Sequence, residues 1–209
     1  MKQFILMSDI IGSAGKNHAQ LINDFEKTVN FINRKYEEEI LSPLTITLGD
    51  EFQGIMKNVA SSVDAIIDME EFMIKNKFEF KLRYVLNQGE IDTPINSEIS
   101  YKMLGKGLTE SRKKLEFLKG SNDRFQFSLE DSDKTLIINN AFRILKNIID
   151  RWNTEKDYDI VSAFIQFRDY KKVAEALGKN RSLIWKREKS LNLESYFSAK
   201  EILNTISKI

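Results

Sequence analysis

Residues 48–54 read Leu48-Gly49-Asp50-Glu51-Phe52-Gln53-Gly54, and well before them an apolar run closes as Ser8-Asp9-Ile10-Ile11-Gly12-Ser13. Each segment ends a strand in a carboxylate followed by glycine-bearing turn residues. Working outward from the first, Leu44, Ile46 and Leu48 alternate with threonines, and Phe52 and Ile55 follow the Gly49-Asp50 turn. That is the pattern of a β-hairpin. Working outward from the second, Lys2 to Ser8 is a short apolar run ending in polar residues, the pattern of a buried strand.

The rest of the chain supplies the partners of these strands. From Asn17 to Ile40, Leu21, Phe25, Val29, Ile32 and Tyr36 recur at helical steps, with Pro43 read as the mark of the helix end. Val59 to Asn76 repeats that period through Val63, Ile66, Ile67 and Met73. Phe78, Phe80, Leu82, Tyr84 and Leu86 alternate as a strand closed by Asn87-Gln88-Gly89. Leu104, Leu108, Ser111, Leu115 and Leu118 trace a third helix, Arg124 to Leu129 a further strand, and Thr135 to Trp152 a fourth helix. The order β-α-β-β-α-β-α-β-α predicts an α+β sandwich of the ferredoxin-like or palm type over residues 1–152, a mainly antiparallel sheet with helices on one side. Asn153 to Asp159 is polar and reads as a linker. Residues 153–209 read as a small all-α unit.

Composition narrows the chemistry. The 209 residues are 42% hydrophobic and 30% charged, a globular balance, and the net charge of +1 requires any basic surface to be local. The chain has no cysteine, which excludes disulfide frameworks and thiolate metal sites. Its single histidine, His18, leaves little room for a Ser-His-Asp triad. Asp9 interrupts the N-terminal apolar run too early for a secretion signal, and no stretch reaches the length of a transmembrane helix. The expectation is a cytoplasmic protein with no membrane partner.

What remains is carboxylate–metal or cation–phosphate chemistry. In the predicted order the first strand and the hairpin lie side by side. Asp9 and Asp50 then share a site for Mg²⁺ or Mn²⁺, which one or two carboxylates and the phosphates of a nucleoside triphosphate commonly hold together. Glu51 points away from Asp50 if the strand continues, and ranks below it as a ligand. The alternative reading is that Asp and Gly serve only as turn formers.

Near the other end stands Val173-Ala174-Glu175-Ala176-Leu177-Gly178, which resembles the first helix and turn of a helix-turn-helix. Ile184 falls where the second helix packs back. Between Lys179 and Lys189 the segment carries Lys179, Arg181, Lys186, Arg187 and Lys189 against one acid, Glu188. A helix of this kind suits the phosphates of double-stranded DNA, with Arg181, Ser182, Trp185 and Lys186 facing the groove and Lys189 extending that face. The alternative is a helical bundle with a solvated charged face, and the exposure of Trp185 separates the two.

Asp9-Ile10 and Gly49-Asp50 also resemble the two metal-binding aspartates of the class III nucleotidyl cyclases, and Gly49-Asp50-Glu51-Phe52 shares four letters with the GGDEF signature of diguanylate cyclases. Arg83 to Ile91 is similar to the cyclase strand that ends in a Gly-Glu turn. Gly105-Lys106-Gly107-Leu108 is similar to the start of the helix that carries base and phosphate recognition. The resemblance covers about residues 1 to 120 and implies a nucleotide site at Lys106, Arg112 and Lys113. Thr109 and Lys113 stand where those enzymes place Asn and Arg, and Lys106 where a purine-selecting acid often sits.

Over the whole chain, Ser8 to Ser13 and Thr47 to Gly54 resemble the hallmark segments of the SatD family almost letter for letter. Together these readings imply a two-domain, DNA-binding regulator with a nucleotide- and metal-binding palm, assembled as a homodimer. The alternative is a nucleotidyl cyclase or related nucleotidyltransferase with a helical assembly tail.

Overall fold

The computed structural model describes residues 2–12, 18–47 and 49–209. Ser13 and Leu48 of the two quoted motifs, and Asn17 at the expected helix start, fall outside them. Among the described residues the chain is α+β, with one five-stranded sheet and eight α-helices.

The first half runs β1 (Lys2–Ile11), α1 (His18–Lys35), β2 (Ile40–Thr47), β3 (Glu51–Met56), α2 (Val59–Lys75) and β4 (Lys81–Glu90). Then come α3 (Lys106–Lys119), β5 (Phe125–Ser128) and α4 (Ser132–Ile149). The sheet order is β2-β3-β1-β4-β5, antiparallel throughout except that β5 joins β4 in parallel. The first four strands and two helices thus have the ferredoxin-like arrangement expected of the order.

Central strand β1 is buried continuously from Ile5 to Ile10, so both of its faces are covered. Leu6 and Ile10 belong with Phe52, Leu82, Tyr84 and Leu86 to the core shared with α1, α2 and α4. Ile5 and Met7 belong with Ile55, Val85, Leu115 and Leu118 to a second core beneath α3. The expectation of helices on one side is therefore corrected: α3 lies on the other side. Two glycines let it approach. A Cβ on Gly107 would sit 2.6 Å from the carbonyl carbon of Gly89, and one on Gly89 would sit 2.5 Å from the Cα of Gly107. The Asn87 amide donates to the Gly107 carbonyl at 3.2 Å and secures the contact.

Two further readings change. The first helix ends at Lys35, and Pro43 lies inside β2 rather than closing the helix. β2 is an edge strand whose pairing with β3 shifts register between Ser42 and Thr45, where a residue without a backbone N–H is tolerated. Strand β4 begins only at Lys81, since Phe78 and Phe80 belong to the connection and pack into the core from there.

The C-terminal part holds α5 (Tyr158–Phe167), α6 (Tyr170–Ala176), α7 (Arg181–Ser190) and α8 (Leu193–Ile206). The sheet-side core continues without a break across residues 152 and 153, taking in Trp152, Tyr158, Phe164, Val173, Ile184 and Tyr196. Adjacent glutamates on α2 make the polar connections. Glu70 binds Arg124 through two bonds, Nη1–Oε1 at 2.8 Å and Nη2–Oε2 at 2.7 Å, while Glu71 accepts from Tyr196 at 2.7 Å and pairs with Lys200. Arg124 also donates to Asp150 at 3.0 Å and stacks 4.4 Å from the ring centre of Phe125.

Arg124 and Glu70 are almost fully buried, so removing one partner strands a desolvated charge. We expect Arg124→Met to cost about 3–5 kcal/mol, read from urea unfolding. Adding Glu70→Leu should return most of that loss, because a well-packed apolar pair is close to neutral.

Candidate functional site

Register builds the site on the sheet face beneath α3. Asp9 on β1 lies directly between Glu51 on β3 and Arg83 on β4. The period of two that sends Leu6, Ser8 and Ile10 to one core sends Asp9, with Ile5 and Met7, to the other. Arg112 and Lys119, two helical turns apart on α3, reach down to the same acids.

Arg83 Nη1 stands 3.1 Å from both oxygens of Asp9, and Lys119 Nζ is 3.7 Å from Asp9 and 3.5 Å from Glu51. Arg112 Nη1 lies 3.2 Å from the other Glu51 oxygen. Glu116 holds Lys119 from the same helix at 2.7 Å, so three acids meet three cations. Asp9 is 2% exposed. Burial raises its pKa above the usual carboxylate value, and the neighbouring Glu51 adds to this; Arg83 and Lys119 offset part of the rise. The Lys119 ammonium is held above its ordinary pKa, first by Glu116 and then by Asp9 and Glu51.

Each sequence-predicted residue has a definite place. Asp50 lies in the turn before β3, partly exposed, with its carbonyl accepting from the Ile10 amide at 2.9 Å. The direct cross-strand partner of Asp9 is Glu51. On α3, Arg112 is brought into the cluster, Lys106 pairs with Glu110 at 3.6 Å on the outer surface, and Lys113 is exposed. Sequence reasoning missed Glu51, Arg83 and Lys119 as members of one cluster. Strict pairing of Asp9 with Glu51, once the hairpin is laid against β1, is the signal that finds the first of them.

The donor set does not fit a divalent ion in this arrangement. Both oxygens of Asp9 are taken by Arg83, Glu51 is shared by Arg112 and Lys119, and the described residues contain no group of three metal-ligating side chains. A dication placed there would have to displace Arg83, Arg112 or Lys119 from the Asp9 and Glu51 carboxylates. The cluster as it stands ties three strands to α3.

The second candidate surface is α7. Asp169 caps α6 through the Lys171 and Lys172 amides, Gly178 turns the chain at φ +60°, and Asn180 caps α7 through the Ser182 amide. Ile184 is the one buried residue of α7. Trp185 is 48% exposed, so it is not a core anchor. Lys179, Arg181, Ser182 and Lys186 are exposed, and the three cations among them form no ion pair among the described residues. Lys189 pairs with Glu194 at 3.0 Å, and Arg187 with Asp157.

The SatD family model matches residues 4–206. The chain belongs to the SatD family. No curated protein matches this SatD-family chain. Two solved structures, each of a bacterial light-regulated adenylyl cyclase, are similar to part of it. One is 14% identical with a TM-score of 0.40, covering 60% of this chain and 74% of the other. The second is 14% identical with a TM-score of 0.38, covering 61% and 43%. Likenesses this distant assign no activity here. No helix among the described residues is long and apolar enough to cross a membrane.

The raised pKa of Asp9 has a signed consequence. A carboxylate that holds its proton more tightly when folded contributes most below its unfolded value and loses that contribution as pH rises through the folded one. The stability difference between the native protein and Asp9→Asn should therefore decline as pH rises above the ordinary value of 3.8, in urea titrations at stepped pH. A difference that grows with pH would contradict this assignment.

Proposed function

We propose that this SatD-family protein binds double-stranded DNA through α7 and acts as a regulator whose sheet domain takes a nucleotide. The observation that supports this most is the surface of α7: an exposed helix with one buried residue, presenting Arg181, Ser182, Trp185 and Lys186 with unpaired cations. A helix kept for packing alone would bury a stripe of side chains. Phosphate contacts from Lys179, Arg181 and Lys186 supply most of the affinity, so binding weakens steeply with salt. Lys189, paired with Glu194, adds less.

In fluorescence anisotropy with duplex DNA at low and moderate salt, wild type should bind, and Arg181→Ala/Lys186→Ala should lose at least about tenfold in affinity while staying folded. No binding of wild type to any duplex at low salt would end this reading.

For the sheet domain, we propose nucleotide binding at Lys106, Arg112 and Lys113. It is supported by Lys113, exposed and unpaired among the described residues, with Lys106 and Arg112 exchanging Glu110 and Glu51 for phosphate. Asp9 is engaged by Arg83 and Lys119, so no acid of the cluster stands free for catalysis. Pure protein incubated with each nucleoside triphosphate and Mg²⁺ or Mn²⁺ should bind nucleotide and leave it unchanged by chromatography. A cyclic or linear dinucleotide product would instead make the chain a nucleotidyltransferase.

A further inference from the structure

A cleft of about 620 Å³ lies between the C-terminal ends of α4 and α7 and the segment that joins α4 to α5. Its lining includes Arg151, Lys156 and Arg187, one carboxylate, Asp157, and at its base the edges of the nearly buried Trp152 and Leu191. The size falls in the range of small-molecule sites. Arg151 and Lys156 form no ion pair among the described residues, and Arg187 alone is matched, by Asp157. Helix C-termini carry about half a negative charge each, less than these cations together. One carbonyl there is already satisfied, since the Trp152 indole N–H donates to the Leu191 oxygen at 3.0 Å.

We propose that this cleft binds a small organic anion, a phosphate monoester or carboxylate with a flat apolar body. The anionic group meets the exposed Arg151 and Lys156, and the body reaches the edges of Trp152 and Leu191 at the base of the cleft. Arg187 is the only cation of α7 that faces both the cleft and Asp157, and Asp157 stands at the start of α5. An anion that draws Arg187 away from Asp157 therefore acts directly on α7. The site itself is independent of whether α7 binds DNA.

The chain has two tryptophans, Trp152 at the base of the cleft and Trp185 exposed on α7, so their indole N–H signals report separately in ¹⁵N NMR, assigned with Trp185→Phe. Full-length protein is titrated with phenyl phosphate, inorganic phosphate, and sodium chloride at matched ionic strength. Phenyl phosphate should shift the Trp152 signal saturably, inorganic phosphate should do so more weakly, and chloride should not. Arg151→Ala/Lys156→Ala should weaken phenyl phosphate binding by more than about tenfold, two charge-assisted hydrogen bonds being lost. The absence of a saturable Trp152 shift, an unchanged affinity in that variant, or an equal response of Trp185 would overturn the proposal. A variant that loses duplex binding while wild type ignores phenyl phosphate would place these cations on a DNA backbone, and would overturn it equally.

Discussion

Burial of β1 on both faces is the constraint on which the rest of the molecule depends. A strand covered on one side only carries charge on its solvated side at little cost. Once α3 closes over the second face, every polar side chain there needs a partner. Asp9 is the case in point, and the structure meets the demand with Arg83 from the neighbouring strand and Lys119 from the covering helix. The close passage of Gly89 and Gly107 belongs to the same solution, because it seats α3 deep enough for Arg112 and Lys119 to reach the sheet. Charge and packing are in this way one arrangement.

The same logic operates at the other side of the sheet, with a different purpose. Glu70 and Glu71 are adjacent on α2 yet serve different neighbours: one holds β5 through Arg124, the other holds α8 through Tyr196 and Lys200. A buried ion pair is seldom a large net source of stability, since desolvation consumes most of the attraction. Its use here is directional. It fixes where the edge strand and the last helix sit on α2, while the shared apolar core supplies the bulk of the free energy.

Much of this was legible in the chain, and the illegible part has a common cause. The order of strands and helices follows from local periodicity: the apolar run of β1, the Gly49-Asp50 turn and the amphipathic α1 and α2 are all visible over short windows. The second helix of the C-terminal pair was legible from its run of basic residues and from Ile184, while its exposure was not. What failed was non-local. Lys81, Arg83 and Asn87 alternate with apolar residues in β4 as if their face met water, and only Val85 betrays the covering helix. Glu51 ranked below Asp50 because its face was judged from the turn alone, whereas its pairing with Asp9 is set by the register between two strands. Pro43 looked like a helix stop because the break in pairing that accommodates it, on an edge strand, leaves no local trace.

Seven of the ten residues of α7 are exposed, while Ile184 is buried and Arg187 and Glu188 are partly so. At the exposed positions the cost of substitution is thus largely uncoupled from the cost of folding, whereas at Ile184 and Arg187 it is not. Surface replacements away from caps and ion pairs usually change stability by no more than about 0.5 kcal/mol. Substitution at those exposed positions therefore leaves the sheet, its charge cluster and the Glu70 connection in place, so this surface can be altered without reworking the fold.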